Sequence, residues 1–249
     1  MAPEEAMHKA TLTILDEHRS LAAVLHGLRY LARNAVKRGA TLDFRLLEAM
    51  VAYIEGFPEA CHHPKEDAYL FRLLRLHAPD AAPTLDELAA QHRDGKNRLA
   101  HLGRALAEYR ECVEIPVPVD ADALSNSGWG RIRCLTAAAA FLDSVESYAT
   151  FHWKHMRIEE DVVLPLAEKT FSAADWAEMD AAFSSHQDPL HGAGTNGGDF
   201  RALFTRIVNL APAPIGLGPA LDAADGDTTT LELLRSGRFG QDEGAAGRA

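Results

Sequence analysis

Residues 62–71 read HHPKEDAYLF, and residues 155–164 read HMRIEEDVVL. Both follow the pattern H-x-x-x-E-[DE] and then turn apolar, so the chain carries a short internal repeat. On a helix, residues i and i+4 share a face, with Cβ atoms roughly 6 Å apart. His62 with Glu66, and His155 with Glu159, therefore each present an imidazole and a carboxylate in one direction. The flanking sequence says that both segments are helical. One stripe runs Leu47, Val51, Ile54, Pro58, His62, Glu66, Leu70, Leu73; the other runs Phe141, Val145, Tyr148, His152, His155, Glu159, Val162, Leu166. Both advance in the steps of three and four that mark one helical face. The repeat predicts a pseudo-twofold site between two helices.

Two further helices are read outward from this pair. The first spans roughly 7–37 with the stripe Ile14, His18, Leu21, Leu25, Leu28, and Arg38-Gly39 stops it. Thr41 or Asp43 caps the next helix, which Pro58 and Pro64 are expected to break or kink into two collinear pieces over about 43–56 and 60–77. Pro79 and Pro83 end that unit, and Thr84 to Glu87 reads as a capping box for a third helix. That helix carries Leu85, Leu88, His92, Leu99, Leu102 and Leu106 and ends near Cys112. Residues 113–129 form a connection, and the fourth helix starts near Gly130 and kinks near Pro165. Ser172 to Asp175 opens a short fifth helix reaching about Ser184. The expected fold is all-α: an up-down-up-down four-helix bundle over 1–191 with an extra short helix. Eleven of the 18 glycines fall in 192–249, which reads as an irregular C-terminal tail with one short helix near 200–209.

Composition agrees. The chain has 31 Leu against 10 Val and 7 Ile, a balance that favours helix over strand. Its 36 acidic and 25 basic side chains give a net charge of −11, which argues against a nucleic-acid partner because phosphate needs a basic face. No apolar run is long enough for a membrane span, and the two early glutamates do not suit a signal peptide. Three cysteines with no close sequence pair argue against a disulfide framework, so a cytoplasmic, reducing setting is expected.

The histidines break the pattern. His18, His62, His92 and His155 each occupy a position on an inward stripe where leucine belongs, and Glu66 and Glu159 do the same. An unpaired buried polar group costs about 1–3 kcal/mol. Six brought together in one core therefore point to a bound cation. Nitrogen and oxygen donors without thiolate suit iron, manganese or zinc. Six ligands exceed one tetrahedral zinc, so two ions, or one ion of higher coordination, are implied. Facing carboxylate–histidine pairs in bundles commonly hold two bridged irons or manganese ions, with Glu66 and Glu159 as the bridges.

The order His18, His62-x-x-x-Glu66, His92, His155-x-x-x-Glu159 resembles the hemerythrin HHE cation-binding family over roughly residues 8–190. The resemblance implies a non-heme diiron centre, with these six residues as ligands, that binds O₂ or responds to oxygen, nitric oxide, peroxide or iron. The oxygen carriers of the family have a second histidine four residues after the third-helix ligand, where this chain has Lys96. They place an aspartate five residues after the fourth-helix histidine, where this chain has Glu159 at four and Glu160 at five. Four histidines instead of five would leave one iron open, which favours chemistry over reversible carriage.

Other residues stay open at this point. Lys96 either snorkels to solvent or faces the metals. His152 is a spare ligand or a donor to one. His63, spaced with Asp67, replaces His62 if the register shifts by one. His26 reads as core; His8, His77, His101, His186 and His191 as surface. Tyr148 and Tyr69 read as core, though a tyrosine near two irons can be redox-active. Three functions follow: a protein that binds or senses O₂, nitric oxide, iron or redox state; an oxidoreductase-like protein acting on peroxide or nitric oxide, or delivering iron for cluster repair; or a metal-free adaptor bundle. The cluster-repair relatives carry an extra N-terminal cysteine-bearing domain and the fused sensors a signalling domain. Neither is expected here, so signalling would need a separate, unidentified protein partner. Because protons compete with metal for imidazole, bound metal should leave below about pH 5–6. Metal analysis after equilibration at pH 4 checks this, and full retention there would count against histidine ligation.

Overall fold

The computed structural model describes residues 7–38, 42–114 and 126–184. Four helical rods form the bundle, and no strand occurs among the described residues. The first rod is α1 (Lys9–Arg38). The second is α2 (Phe44–Gly56), a π turn (Pro58–His62), α3 (His63–Lys65), a second π turn (Glu66–Phe71) and α4 (Arg72–His77). A 3₁₀ turn (Pro79–Ala81) leads into the third rod, α5 (Ala82–Glu114). The fourth is α6 (Asn126–Ile158), a π turn (Glu159–Val163) and α7 (Leu164–Thr170), followed by α8 (Ala173–Ser184). Each rod packs on its neighbours in sequence, and α6 returns to α1, closing the up-down-up-down bundle.

Local chemistry explains most ends. Asp43 caps α2, accepting from the N–H groups of Arg45 and Leu46, an arrangement typically worth ~1 kcal/mol. Ser172 and Asp175 cap α8 reciprocally: Ser172 N–H donates to Asp175 Oδ2 at 2.8 Å, and Asp175 N–H to Ser172 Oγ at 3.3 Å. The regular helix of the second rod ends at Gly56, as expected ahead of Pro58, and the rod runs on through Pro58 and Pro64 in wider turns. The missing donors are absorbed by wider turns, as where His62 N–H reaches Phe57 O, five residues back, at 3.2 Å. The third helix begins at Ala82, upstream of Thr84, because Pro83 fits a first turn whose N–H groups lack helical partners. The fourth begins at Asn126, ahead of Gly130. The tail after 184, with its expected helix, lies outside the described residues.

The interior divides into two apolar clusters. One holds Leu21, Leu25, Leu47, Met50, Tyr53, Leu102, Phe141 and Tyr148. The other holds Ile14, Leu70, Leu74, Leu88, Leu164 and, from α8, Trp176, Met179 and Phe183. The polar positions His18, His62, Glu66, His92, His155 and Glu159 lie between them along all four rods. Hydrocarbon above and below keeps that layer from bulk water. No described helix is long and apolar enough to cross a membrane. Cys61, Cys112 and Cys134 form no disulfide among the described residues, but Cys112 and Cys134 are brought close, the Cys134 thiol donating to the Cys112 carbonyl at 2.9 Å.

His26 on α1 is buried, its ring centroid 4.7 Å from that of Trp153. Burial, with Arg29 and Arg33 adding to it, holds its pKa down to about 4 from 6.5. Between those two pH values the unfolded chain takes up a proton that the folded chain refuses. Stability therefore falls as pH drops through 6.5 and levels off below about 4, by up to about 3 kcal/mol. In denaturant titrations of chelator-treated protein, His26→Gln should flatten this acid limb relative to the parent; an unchanged slope would remove His26 as its source.

Candidate metal centre

The two repeats share a backbone device as well as a sequence. Glu66 opens one π turn and Glu159 opens another. Wider turns of this kind recur at functional sites because they re-aim side chains that a regular helix would turn away. A third π turn ends at His62 and sets His62 and His63 side by side, both buried.

Side chains from all four rods meet around the two glutamates. His62 Nε2 lies 3.3 Å from Glu66 Oε2, and His18 Nε2 lies 3.9 Å from Glu66 Oε1 and 3.4 Å from Glu159 Oε2. His92 Nε2 lies 3.6 Å from Glu66 Oε2 and 3.7 Å from Glu159 Oε1. His155 Nε2 lies 3.3 Å from Glu159 Oε1. Two overlapping donor groups result, His18–His62–Glu66 and His63–Glu66–His92–His155, each with its donor atoms within 4.8 Å of one another. Glu66 belongs to both, and Glu159 touches histidines of both. Both glutamates are 0% exposed.

The outward ring nitrogens are held by a closed ring of bonds. Glu17, beside His18 in the chain, accepts from His62 Nδ1 at 2.6 Å. Asp67, beside Glu66, accepts from His92 Nδ1 at 3.1 Å. Gln91, beside His92, accepts from His155 Nδ1 at 2.9 Å. Glu160, beside Glu159, accepts from His18 Nδ1 at 2.9 Å. Each rod thus supplies a ligand-type side chain and, from the adjacent residue, the anchor for the histidine of the next rod. His63 is anchored within its own rod, Nδ1 to Glu59 Oε2 at 3.3 Å. The Gln91 amide is itself oriented, its NH₂ donating to Glu87 at 3.0 Å.

These anchors decide the chemistry of the inner face. An ionised carboxylate or an amide oxygen can only accept, so each anchored ring carries its proton on Nδ1. The Nε2 lone pairs then point inward, at carboxylate oxygens and at one another; His92 Nε2 and His155 Nε2 stand 3.1 Å apart. None of the four oxygens of Glu66 and Glu159 makes a hydrogen bond among the described residues. So dense a set of electron-pair donors in a dry layer calls for positive charge between them. Protein groups alone would meet that need with protons. Against the pull of burial, the nearby carboxylates of Glu159 and Glu160 raise His18 to about 9, and those of Asp67 and Glu159 raise His92 to about 9. Burial and the neighbouring Glu159 push Glu66 well above the usual carboxylate range. The donor set, nitrogen and oxygen without sulfur, fits two transition-metal ions sharing the carboxylates.

All six residues singled out in the sequence come together here. His63 joins them beside His62 rather than replacing it, because the π turn directs both inward. Five histidines therefore line the layer, two of them from the second rod and one from the third, where Lys96 stands at the place of a second. Lys96 is exposed. His152 is buried but turned to Glu59 at 3.6 Å. Tyr148 is core, its hydroxyl donating to Glu59 Oε1 at 3.0 Å, and Tyr69 packs on the second apolar cluster. His8 stacks on Trp176 with centroids 4.0 Å apart, His77 pairs with Asp175 at 3.2 Å, and His101 is exposed. His186 and His191 lie outside the described residues. The sequence reading missed the anchors Glu17, Asp67, Gln91 and Glu160, although a usable signal existed: each adjoins a residue on an inward stripe.

Removing an anchor loosens its ring. Gln91→Leu should weaken metal affinity about 10–100-fold in chelator competition with little change in helix content. His63→Phe should lower the metal content per chain; metal retained at parental content and affinity would exclude His63 from the set.

A family model for the hemerythrin HHE cation binding domain matches residues 10–167. No significant match is found among curated proteins or among solved structures. The matched span covers well over half of the chain and takes in every residue that meets at the buried histidine–glutamate layer. This chain belongs to the hemerythrin HHE cation-binding family.

Proposed function

We propose that the protein holds a dinuclear non-heme iron centre and uses it to bind or sense a small oxidant or diatomic molecule, O₂ or nitric oxide, or the supply of iron itself. One observation carries this reading: two fully buried carboxylates, each without a hydrogen bond among the described residues, stand between two groups of inward-facing imidazole nitrogens. Glu66 and Glu159 would bridge the ions. His18 and His62 would hold one, and His63, His92 and His155 the other. Bound iron would supply redox change and an affinity for diatomic ligands. Manganese or zinc would fill the same donors without that breadth of reactivity.

The chain's own residues would do the rest. The anchors keep each Nδ1 protonated, so that a neutral imidazole lone pair meets the metal. The unequal division, two histidines against three, leaves the His18–His62 side poorer in protein ligands and open to an exogenous molecule. The apolar clusters above and below exclude water, which favours an uncharged diatomic ligand over a hydrated ion. Three cysteines without a disulfide among the described residues suit a reducing compartment such as the cytoplasm.

Anaerobic loading with Fe²⁺ should give about two irons per chain, and Mössbauer spectra should show two inequivalent sites. Addition of O₂ or nitric oxide should produce visible charge-transfer bands that reverse on ligand removal. Bands that decay with consumption of added peroxide or nitric oxide would favour the oxidoreductase reading instead. Metal content below about 0.2 per chain would leave only a metal-free bundle.

A further inference from the structure

Glu59, His152 and Tyr148 form a second buried polar group on the outer side of His63. Glu59 is 2% exposed and His152 1%. Neither ring nitrogen of His152 makes a hydrogen bond among the described residues, and its Nε2 stands 3.6 Å from Glu59 Oε1. Glu59 Oε2 faces His63 Nδ1 at 3.3 Å. A groove of about 380 Å³ between the second and third rods reaches this carboxylate. Val51, Glu55, Glu59, Lys96, Leu99 and Gly103 are among its lining residues. Glu55 is exposed at the groove, Glu59 lies one turn deeper, and His63 lies one turn beyond that, at the centre itself. Gly95 makes the arrangement fit, for a Cβ there would lie 2.8 Å from Glu59 Oε1.

We propose that this groove is the entry port for divalent metal ions, and that Glu59 and His152 form a transit site on the way to the dinuclear centre. The proposal rests on the metal-centre reading above. An imidazole nitrogen and a carboxylate oxygen each bind such an ion at about 2.0–2.2 Å, so the 3.6 Å gap accepts one between them. Two protein ligands with groove water completing the shell make a weak site, as transit requires. His63 then receives the ion on its inner nitrogen. The exposed ammonium of Lys96 opposes entry and sets its rate.

Stopped-flow absorbance of Co²⁺ uptake by the metal-free, full-length chain tests this, with Co²⁺ content measured at equilibrium alongside. His152→Phe should slow uptake about tenfold, and Glu55→Gln about twofold to threefold, while Lys96→Gln should speed it by a similar factor, most at low salt. Equilibrium content should match the parent in all three. Glu59→Gln should slow uptake too, and as the anchor of His63 it should also weaken binding. Parental rates in His152→Phe overturn the proposal. A loss of equilibrium content in His152→Phe that matches the rate change also overturns it, by making His152 a resident or structural group. If the parent itself takes up no Co²⁺, the metal centre fails first and the port with it; two ions bound with unmoved rates would sink the port alone.

Discussion

Four hydrogen bonds pass once around the bundle, from Glu17 to His62, Asp67 to His92, Gln91 to His155 and Glu160 to His18. Each joins one rod to the next, and the last returns to the first. The ring fixes two things together. It sets the rotation of each rod about its axis, because the anchor and the ligand-type residue are chain neighbours and cannot turn independently. It also sets the tautomer of each imidazole, because the outer nitrogen must donate. A bundle held by hydrocarbon alone tolerates small rotations of its helices; this one cannot rotate a rod without breaking two links.

That constraint accounts for the π turns. A regular helix cannot keep Leu70 and Leu73 in one core, Glu66 in the polar layer and His62 with His63 both inward, since consecutive side chains point a quarter-turn or more apart. The wider turns at Pro58–His62, Glu66–Phe71 and Glu159–Val163 absorb the mismatch. Proline helps, because at 58, 64 and 165 there is no N–H that a regular ladder would claim. The backbone irregularity lies in the two rods that carry the repeat, where the donors are densest.

The polar layer is costly without its cations. Buried carboxylates and facing lone pairs lose hydration worth several kcal/mol per charge. The two apolar clusters that sandwich the layer supply the stability that lets the chain hold it. The same clusters shield the layer from bulk water. Glu59 stands apart from this logic. It is a buried carboxylate turned outward from the centre, and the glycine at 95 makes the room it occupies.

Periodicity determined the four rods and the six residues His18, His62, Glu66, His92, His155 and Glu159, and the opening at Ser172 to Asp175 marked the extra helix. A polar side chain on an apolar stripe is legible wherever the stripe itself is legible. The fifth histidine was not legible, because His63 sits one step off the stripe and reaches the centre only through a π turn, which depends on contacts distant in the sequence. Nor were the anchors. Glu17, Asp67, Gln91 and Glu160 read as ordinary polar residues on a solvent-leaning edge until the neighbouring rod supplies an imidazole. One-dimensional spacing reports which way a side chain leaves its own helix; which nitrogen it meets on the next is settled only when the rods pack.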